Sequence, residues 1–225
     1  MKMGGPDMAP HTPQRSEAPG GTPGAPRDDA FPRVVLASAS PRRRALLRYL
    51  IADFDVIPSA VDERFEPGPL TEAVPRLAEA KARAVAATLS GGIVLGADTA
   101  VVIDAEPLGK PADAREAVAM LRRLRGRPHE VMTAVAVVDI GGGRAFRATE
   151  VTRVVMARVP DELIARYAAS GAPLDKAGGY AIQDLDGALV DVVAGSFTNV
   201  IGLPLGLTAR LLREAGAPIS GPGWS

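Results

Sequence analysis

The chain has 225 residues, no cysteine, two histidines and 26 basic against 26 acidic side chains. That length carries one well-buried domain or two small ones, and the neutral balance excludes a global electrostatic partner such as nucleic acid or an acidic lipid surface. The missing cysteines exclude disulfides and thiolate chemistry, and His11 and His129 alone do not make a His-rich zinc site.

No apolar run approaches the length of a bilayer span, and the N-terminus lacks the apolar core of a signal peptide. The expectation is a cytoplasmic enzyme or binding protein with no membrane partner. Residues 1–32 stand apart, because 12 of these 32 are Gly or Pro and bulky apolar residues are nearly missing. Such a segment buries too little surface to offset its ordering entropy and reads as a disordered tail.

From Arg33 to residue 216 strand-like and helix-like segments alternate, leaving 217–225 as a C-terminal tail. Residues 33–37 read as a buried strand. Residues 41–50 read as a helix with Leu46, Leu47 and Leu50 inward. A second helix spans 72–89, with Glu72–Arg76 and Glu79–Arg83 as i,i+4 pairs. Two β-branched runs, Ile93–Leu95 and Ala100–Ile103, are interrupted by Gly96-Ala97-Asp98-Thr99. A third helix follows Asp113, with Glu116 at the capping-box position and an apolar stripe of Ala117, Met120, Leu121 and Leu124. Residues 129–140 and 145–159 read as long strands joined by Gly141-Gly142-Gly143 into a hairpin. Helices over 161–170 and 204–215 complete an α/β chain with a partly antiparallel sheet.

Several short segments bear residues suited to chemistry. In Leu36-Ala37-Ser38-Ala39-Ser40-Pro41-Arg42-Arg43 a strand runs into a helix start. Ser40 is a natural N-cap and Pro41 suits the first helical position. A helix N-terminus offers free N–H groups, and Arg42 and Arg43 add forked donors, so this is a candidate polyphosphate cradle outside the Walker pattern. Asp98, behind the run Ile93–Leu95 and a flexible Gly96, is the strongest candidate acid or base; a turn-forming or capping aspartate is the alternative. Lys110, in Leu108-Gly109-Lys110-Pro111, reaches a phosphate or is a surface lysine. Lys81, in mid-helix, reads by itself as a solvated side chain. Asp62 and Glu63 either ligate Mg²⁺ or are simply hydrated. In Asp175-Lys176-Ala177-Gly178-Gly179-Tyr180-Ala181-Ile182-Gln183 a charged pair and a double glycine precede a short strand ending in Gln183, whose amide pairs with a nucleobase edge or makes a structural hydrogen bond. The run Arg122, Arg123, Arg125 and Arg127 falls at a helix C-terminus, where cations offset the dipole, and no aromatics interleave it for RNA binding.

Together these segments resemble the Maf family of nucleoside triphosphate pyrophosphatases over residues 33–215. Val61-Asp62-Glu63, Lys81-Ala82, Gly96-Ala97-Asp98-Thr99, His129-Glu130-Val131-Met132-Thr133, Gly195-Ser196 and Asn199-Val200-Ile201-Gly202-Leu203-Pro204 extend the match. Each piece is weak alone; their order and spacing are specific. The resemblance implies an α/β fold with an elongated mixed sheet flanked by helices and a cleft between two lobes. It implies hydrolysis of a nucleoside triphosphate between the α and β phosphates. Asp98 would be the general base. Ser38, Arg42, Arg43, Lys81 and Lys110 would hold phosphates. A divalent cation, Mg²⁺ or Mn²⁺, would be required, with Glu63 and Asp98 as candidate ligands. A homodimer is implied by the likeness alone.

Within the family the resemblance points to the dTTP/UTP branch, through Arg42, Thr99 and Gln183 at its selectivity positions. A branch using 7-methyl-GTP has glutamate where Gln183 stands, as suits a cationic base. One departure is Asp184, where the family usually has glycine; an added charge beside Gln183 bears on the base pocket. The other readings are an inosine or xanthosine triphosphate pyrophosphatase, and a nucleotide-binding cell-division regulator without turnover.

Overall fold

In the computed structural model the described residues are 32–63 and 68–221. The tail expected over 1–32 lies, but for Pro32, outside them. Strand β1 (Val34–Leu36) is wholly buried and runs parallel to both β2 (Asp55–Val56) and β3 (Ile93–Ile103). The other edge of β3 pairs antiparallel with β5 (Pro128–Asp139), which forms a hairpin with β6 (Arg144–Met156). Glycines 141–143 make the turn, as expected. Strand β4 (Glu106–Leu108) returns along β3, and β7 (Val190–Ala194) closes the far edge beside β6. The result is one mixed sheet in the order β2-β1-β3-β5-β6-β7, with β4 beside β3.

The two apolar runs expected around Gly96-Ala97-Asp98-Thr99 are one strand. The β5 ladder pairs every residue from Ile93 to Val102 and carries the backbone straight through the glycine. Gly96 serves there for close approach rather than flexibility: a Cβ would collide with the carbonyl oxygen of Ala78 and lie 2.8 Å from Ala82 N.

Alternation along the strands decides which helices they meet. Val35, Val94, Ala134 and Ala136 pack with Val74, Ala78, Ala82 and Val85 of α2 (Leu70–Ala86). Leu36, Leu95, Val135 and Val137 pack with Leu46 and Leu47 of α1 (Pro41–Leu47) and with Leu211 and Leu212 of α6 (Leu205–Glu214). Further along the sheet, Val101, Val131 and Val154 join α3 (Ala114–Leu124) and α4 (Asp161–Ala169) in a third apolar cluster. The helix starts expected from sequence form as caps. Ser40 Oγ accepts from Arg43 N, and Asp113 Oδ1 accepts from Glu116 N at 2.8 Å. Another short helix, α5 (Phe197–Ile201), is capped by Ser196.

No strand ends at Gln183. Residues 172–187 form three 3-10 turns, with Gly178 and Gly179 both at φ +71°. The physical reason is that Gly178 N donates to Gly109 O at 3.0 Å, tying this segment onto the β4 exit instead of onto a strand edge. Residues 217–221 run back to the turn after α1, where Ser220 and Gly221 N–H groups donate to Leu50 O.

One feature of the sheet positions the candidate site. β1 and β4 pair with the same edge of β3 but stop short of each other. β1 reaches Leu95, with Ala37 N donating to Leu95 O at 2.7 Å, whereas β4 reaches only Val101. The stretch of β3 between them, with Asp98 and Thr99, faces a gap. β1 discharges Ser38 into this gap from one side and β4 discharges Gly109 and Lys110 from the other.

Candidate active site

The gap opens into a cleft of about 510 Å³ lined by Ser38, Arg42, Arg43, Glu63, Asp98, Thr99, Lys110 and Lys176, among others. Two linked groups of side chains organise it.

The first is ionic. Lys81 Nζ donates to Asp98 Oδ1 at 2.8 Å and to Glu63 Oε1 at 2.7 Å, and Lys110 Nζ pairs with Glu63 Oε2. Lys81 is 4% exposed and Asp98 6%. The sequence alone reads Lys81 as a solvated helical lysine. The structure places it on the inner stripe of α2, between Ala78 and Ala82, the residues that pack onto Gly96. A buried ammonium is tolerable only when paired, and it is paired twice. Burial pushes the Asp98 carboxyl above its ordinary range, against the pull of the Lys81 and Arg43 charges. At Glu63 burial also works upward, but hydrogen bonds from Lys110 and Lys81, with their charges, overcome it and hold the carboxyl at about 2.

The second group is a clamp on Arg43. Its Nε donates to Gly202 O at 2.9 Å, Nη2 to Thr99 Oγ1 at 3.1 Å and Nη1 to Ser38 Oγ at 3.4 Å. Three of five N–H groups are thus engaged. One remains on each terminal nitrogen, the fork that meets phosphate oxygens in pairs. Arg42 turns instead to Asp175, at 3.1 Å, and Asp175 also accepts from Lys176 at 2.7 Å. The charged pair at 175–176 was visible in the sequence, but its partner Arg42 lies 133 positions away.

The structure therefore brings Ser38, Arg42, Arg43, Glu63, Asp98, Thr99 and Lys110 to one cleft. Lys81, expected to hold phosphate, is buried off the cleft lining, because its ammonium is taken up by Asp98 and Glu63. Gln183 is not among the cleft-lining residues; it is exposed, on a turn beyond the lining residues Tyr180 and Ala181. The unusual Asp184 turns its carboxylate to the Tyr167 hydroxyl and lies 3.7 Å from Lys176 Nζ, so its charge is engaged on the α4 side.

The carboxylates suit a hard cation. Asp98 Oδ2 is buried and takes no hydrogen bond among the described residues, and Glu63 stands across Lys81 from it. No group of three or more acidic, His or Cys ligands exists among the described residues. Two carboxylates match a cation that keeps water and phosphate oxygens as its remaining ligands, the habit of Mg²⁺.

Fold and cleft together define an α/β protein whose sheet-edge crevice carries a buried carboxylate among fixed cations, a site for a polyanion. A family model described as Maf-like protein matches residues 33–215, and the chain belongs to that family. Among its relatives, a protein of Anaeromyxobacter dehalogenans (strain 2CP-C) named dTTP/UTP pyrophosphatase is 52% identical over 191 residues, covering 84% of this chain and 96% of that one. Proteins of the same name from Myxococcus xanthus (51% identical over 187 residues, 83% of this chain and 94% of that one) and Desulforamulus reducens (44% over 187 residues, 83% and 98%) are also similar.

Proposed function

We propose that this protein is a nucleoside triphosphate pyrophosphatase that hydrolyses dTTP and UTP to the monophosphate and pyrophosphate. The names of its relatives support the substrate class. The observation that carries the chemistry is the convergence of Arg43 and Lys110 with Asp98 on one cleft, with Lys81 buried behind Asp98 and Glu63.

The Arg43 fork and the Lys110 ammonium hold phosphate oxygens, and Ser38 and the α1 start add donors beside them. Asp98 takes a proton from water as that water attacks the α phosphorus. The α–β bridging bond breaks and pyrophosphate leaves with the bond electrons. Phosphoryl transfer of this kind is catalysed mainly by positioning and charge stabilisation, which a rigidly held arginine and a buried carboxylate provide. Lys81 favours the ionised form of Asp98 against the upward push of burial. Glu63 and Asp98 would hold Mg²⁺ or Mn²⁺, which supplies charge neutralisation on phosphate oxygens and a more acidic bound water.

For the base, Thr99 and Arg42 line the cleft. The assignment of Gln183 as the amide that reads uracil or thymine rests on the family resemblance. A homodimer and a cytoplasmic location belong to the same proposal; no helix among the described residues is long and apolar enough to cross a membrane. The deciding experiment is a panel of dTTP, UTP, CTP, ITP and 7-methyl-GTP assayed with Mg²⁺ for pyrophosphate and monophosphate. Release from dTTP and UTP above the others is expected. Release of orthophosphate alone, or preference for ITP, overturns the proposal.

A further inference from the structure

Two family segments, His129–Thr133 and Asn199–Pro204, supply no group to the reaction just described, yet they meet behind the arginine clamp. Thr133 sits on β5 directly opposite Thr99 on β3, so the two side chains share one face of the sheet. Their hydroxyl oxygens are 3.0 Å apart. Thr133 Oγ1 also lies 3.1 Å from Asn199 O. Thr133 and Asn199 are both fully shut off from solvent.

The order of donors in this chain is fixed by elimination. A carbonyl oxygen only accepts, so the single Thr133 proton goes to Asn199 O. Thr133 then has only a lone pair for Thr99, and the Thr99 proton goes to Thr133. Thr99 in turn has only lone pairs left, and one of them receives Arg43 Nη2 at 3.1 Å. The run Arg43 → Thr99 → Thr133 → Asn199 carbonyl is thus directed throughout, and such chains strengthen each member. Its far end is rigid. Asn199 Nδ2 donates to Val131 O and to Thr152 Oγ1, each at 2.9 Å, which pins α5 to β5 and β6. The same helix ends at Gly202, whose carbonyl takes Arg43 Nε.

We propose that Thr133 is a positioning residue for phosphate binding: its hydroxyl orients Thr99 as an acceptor and so aims the Arg43 guanidinium into the cleft. This rests on the reading of the cleft as a phosphate site. Thr133→Val keeps the shape and removes the hydroxyl. Thr99 then loses its acceptor and turns its proton toward Arg43.

The test uses the full chain and inorganic tripolyphosphate as probe, with affinity measured by calorimetry and KM and kcat measured on UTP. Thr133→Val should weaken tripolyphosphate by on the order of 10-fold and raise KM similarly, with a smaller change in kcat. Thr133→Ser, which restores the hydroxyl, should recover most of the affinity. Thr208→Val removes another fully buried hydroxyl, bonded to Pro204 O at 2.8 Å, and should bind tripolyphosphate like the parent chain. In an Arg43→Ala background, Thr133→Val should have no further effect. The proposal falls if Thr133→Val binds like the parent, if Thr133→Ser fails to rescue, if the two losses multiply independently, or if the parent does not bind tripolyphosphate. Coupled tripolyphosphate binding without UTP hydrolysis would sink the proposed function and leave the positioning role standing.

Discussion

The ammonium of Lys81 lies 2.8 Å from Asp98 Oδ1, and both side chains are buried at the point where α2 presses on β3. This pair joins stability to chemistry. Lysine offsets the burial of the carboxylate, whose second oxygen is buried and takes no hydrogen bond among the described residues.

Asp98→Asn keeps the shape of the side chain and removes its basicity. The variant should fold, with an unchanged circular-dichroism spectrum. Its kcat for UTP should fall by on the order of 10²–10⁴, the usual cost of losing a positioned base. Unchanged turnover would take Asp98 out of the mechanism.

Lys81→Met strips the counter-charge from Asp98 and leaves a buried carboxylate alone. Breaking a buried pair this way costs about 3–5 kcal/mol, read as a fall in the urea midpoint at pH 7. Adding Asp98→Asn to Lys81→Met should return part of that loss, because no charge is then stranded. A double variant less stable than Lys81→Met would contradict the pairing.

Glu63 predicts an acid-sensitive component. Its folded carboxyl is held near 2, below its ordinary 4.5, so its contribution to stability is complete above about 4.5 and is lost as pH falls toward 2. The side chain is 48% exposed, so solvent screening keeps the effect to about 1 kcal/mol. Glu63→Gln should flatten the stability decline in that window, measured by urea midpoints at pH 7, 4 and 3. Asp98 works with the opposite sign. Its raised carboxyl favours the folded state at low pH, and that contribution is lost as pH rises through the folded value.

Gly96→Ala places a methyl group against the backbone of α2 at Ala78 and Ala82. Neither neighbour is a flexible side-chain end, so helix and strand must separate. Overpacking of this kind costs about 1–3 kcal/mol. It should also lower kcat, because Lys81 and Asp98 ride on the two elements that move apart. Thermal unfolding and UTP turnover read the two effects.

Gln183→Glu tests the base-reading assignment. It should weaken UTP and dTTP turnover relative to 7-methyl-GTP. The side chain is exposed on its turn, so little stability change is expected. An unmoved preference among the three nucleotides would remove Gln183 from the base site.

Local signals were readable before any fold was known. The Ser40 cap, the Asp113–Glu116 start of α3 and the glycine turn between β5 and β6 depend on neighbours a few residues apart. The short strands β2, β4 and β7 escaped. Two to five residues carry no usable periodicity, and such strands exist because a longer neighbour offers an edge. The segment before Gln183 failed as a strand because its glycines turn it onto Gly109.

The order of residues along the chain determined the longer strands and helices, the caps and the inventory of charged groups, since these follow from patterns within a turn, a strand or a hairpin. Their meeting was decided only in three dimensions. Two strands share one edge of β3 and end before touching, so segments more than 60 positions apart empty into the same opening. A lysine that looks hydrated on a helical wheel became the buried partner of an aspartate because a glycine let its helix sit against the sheet.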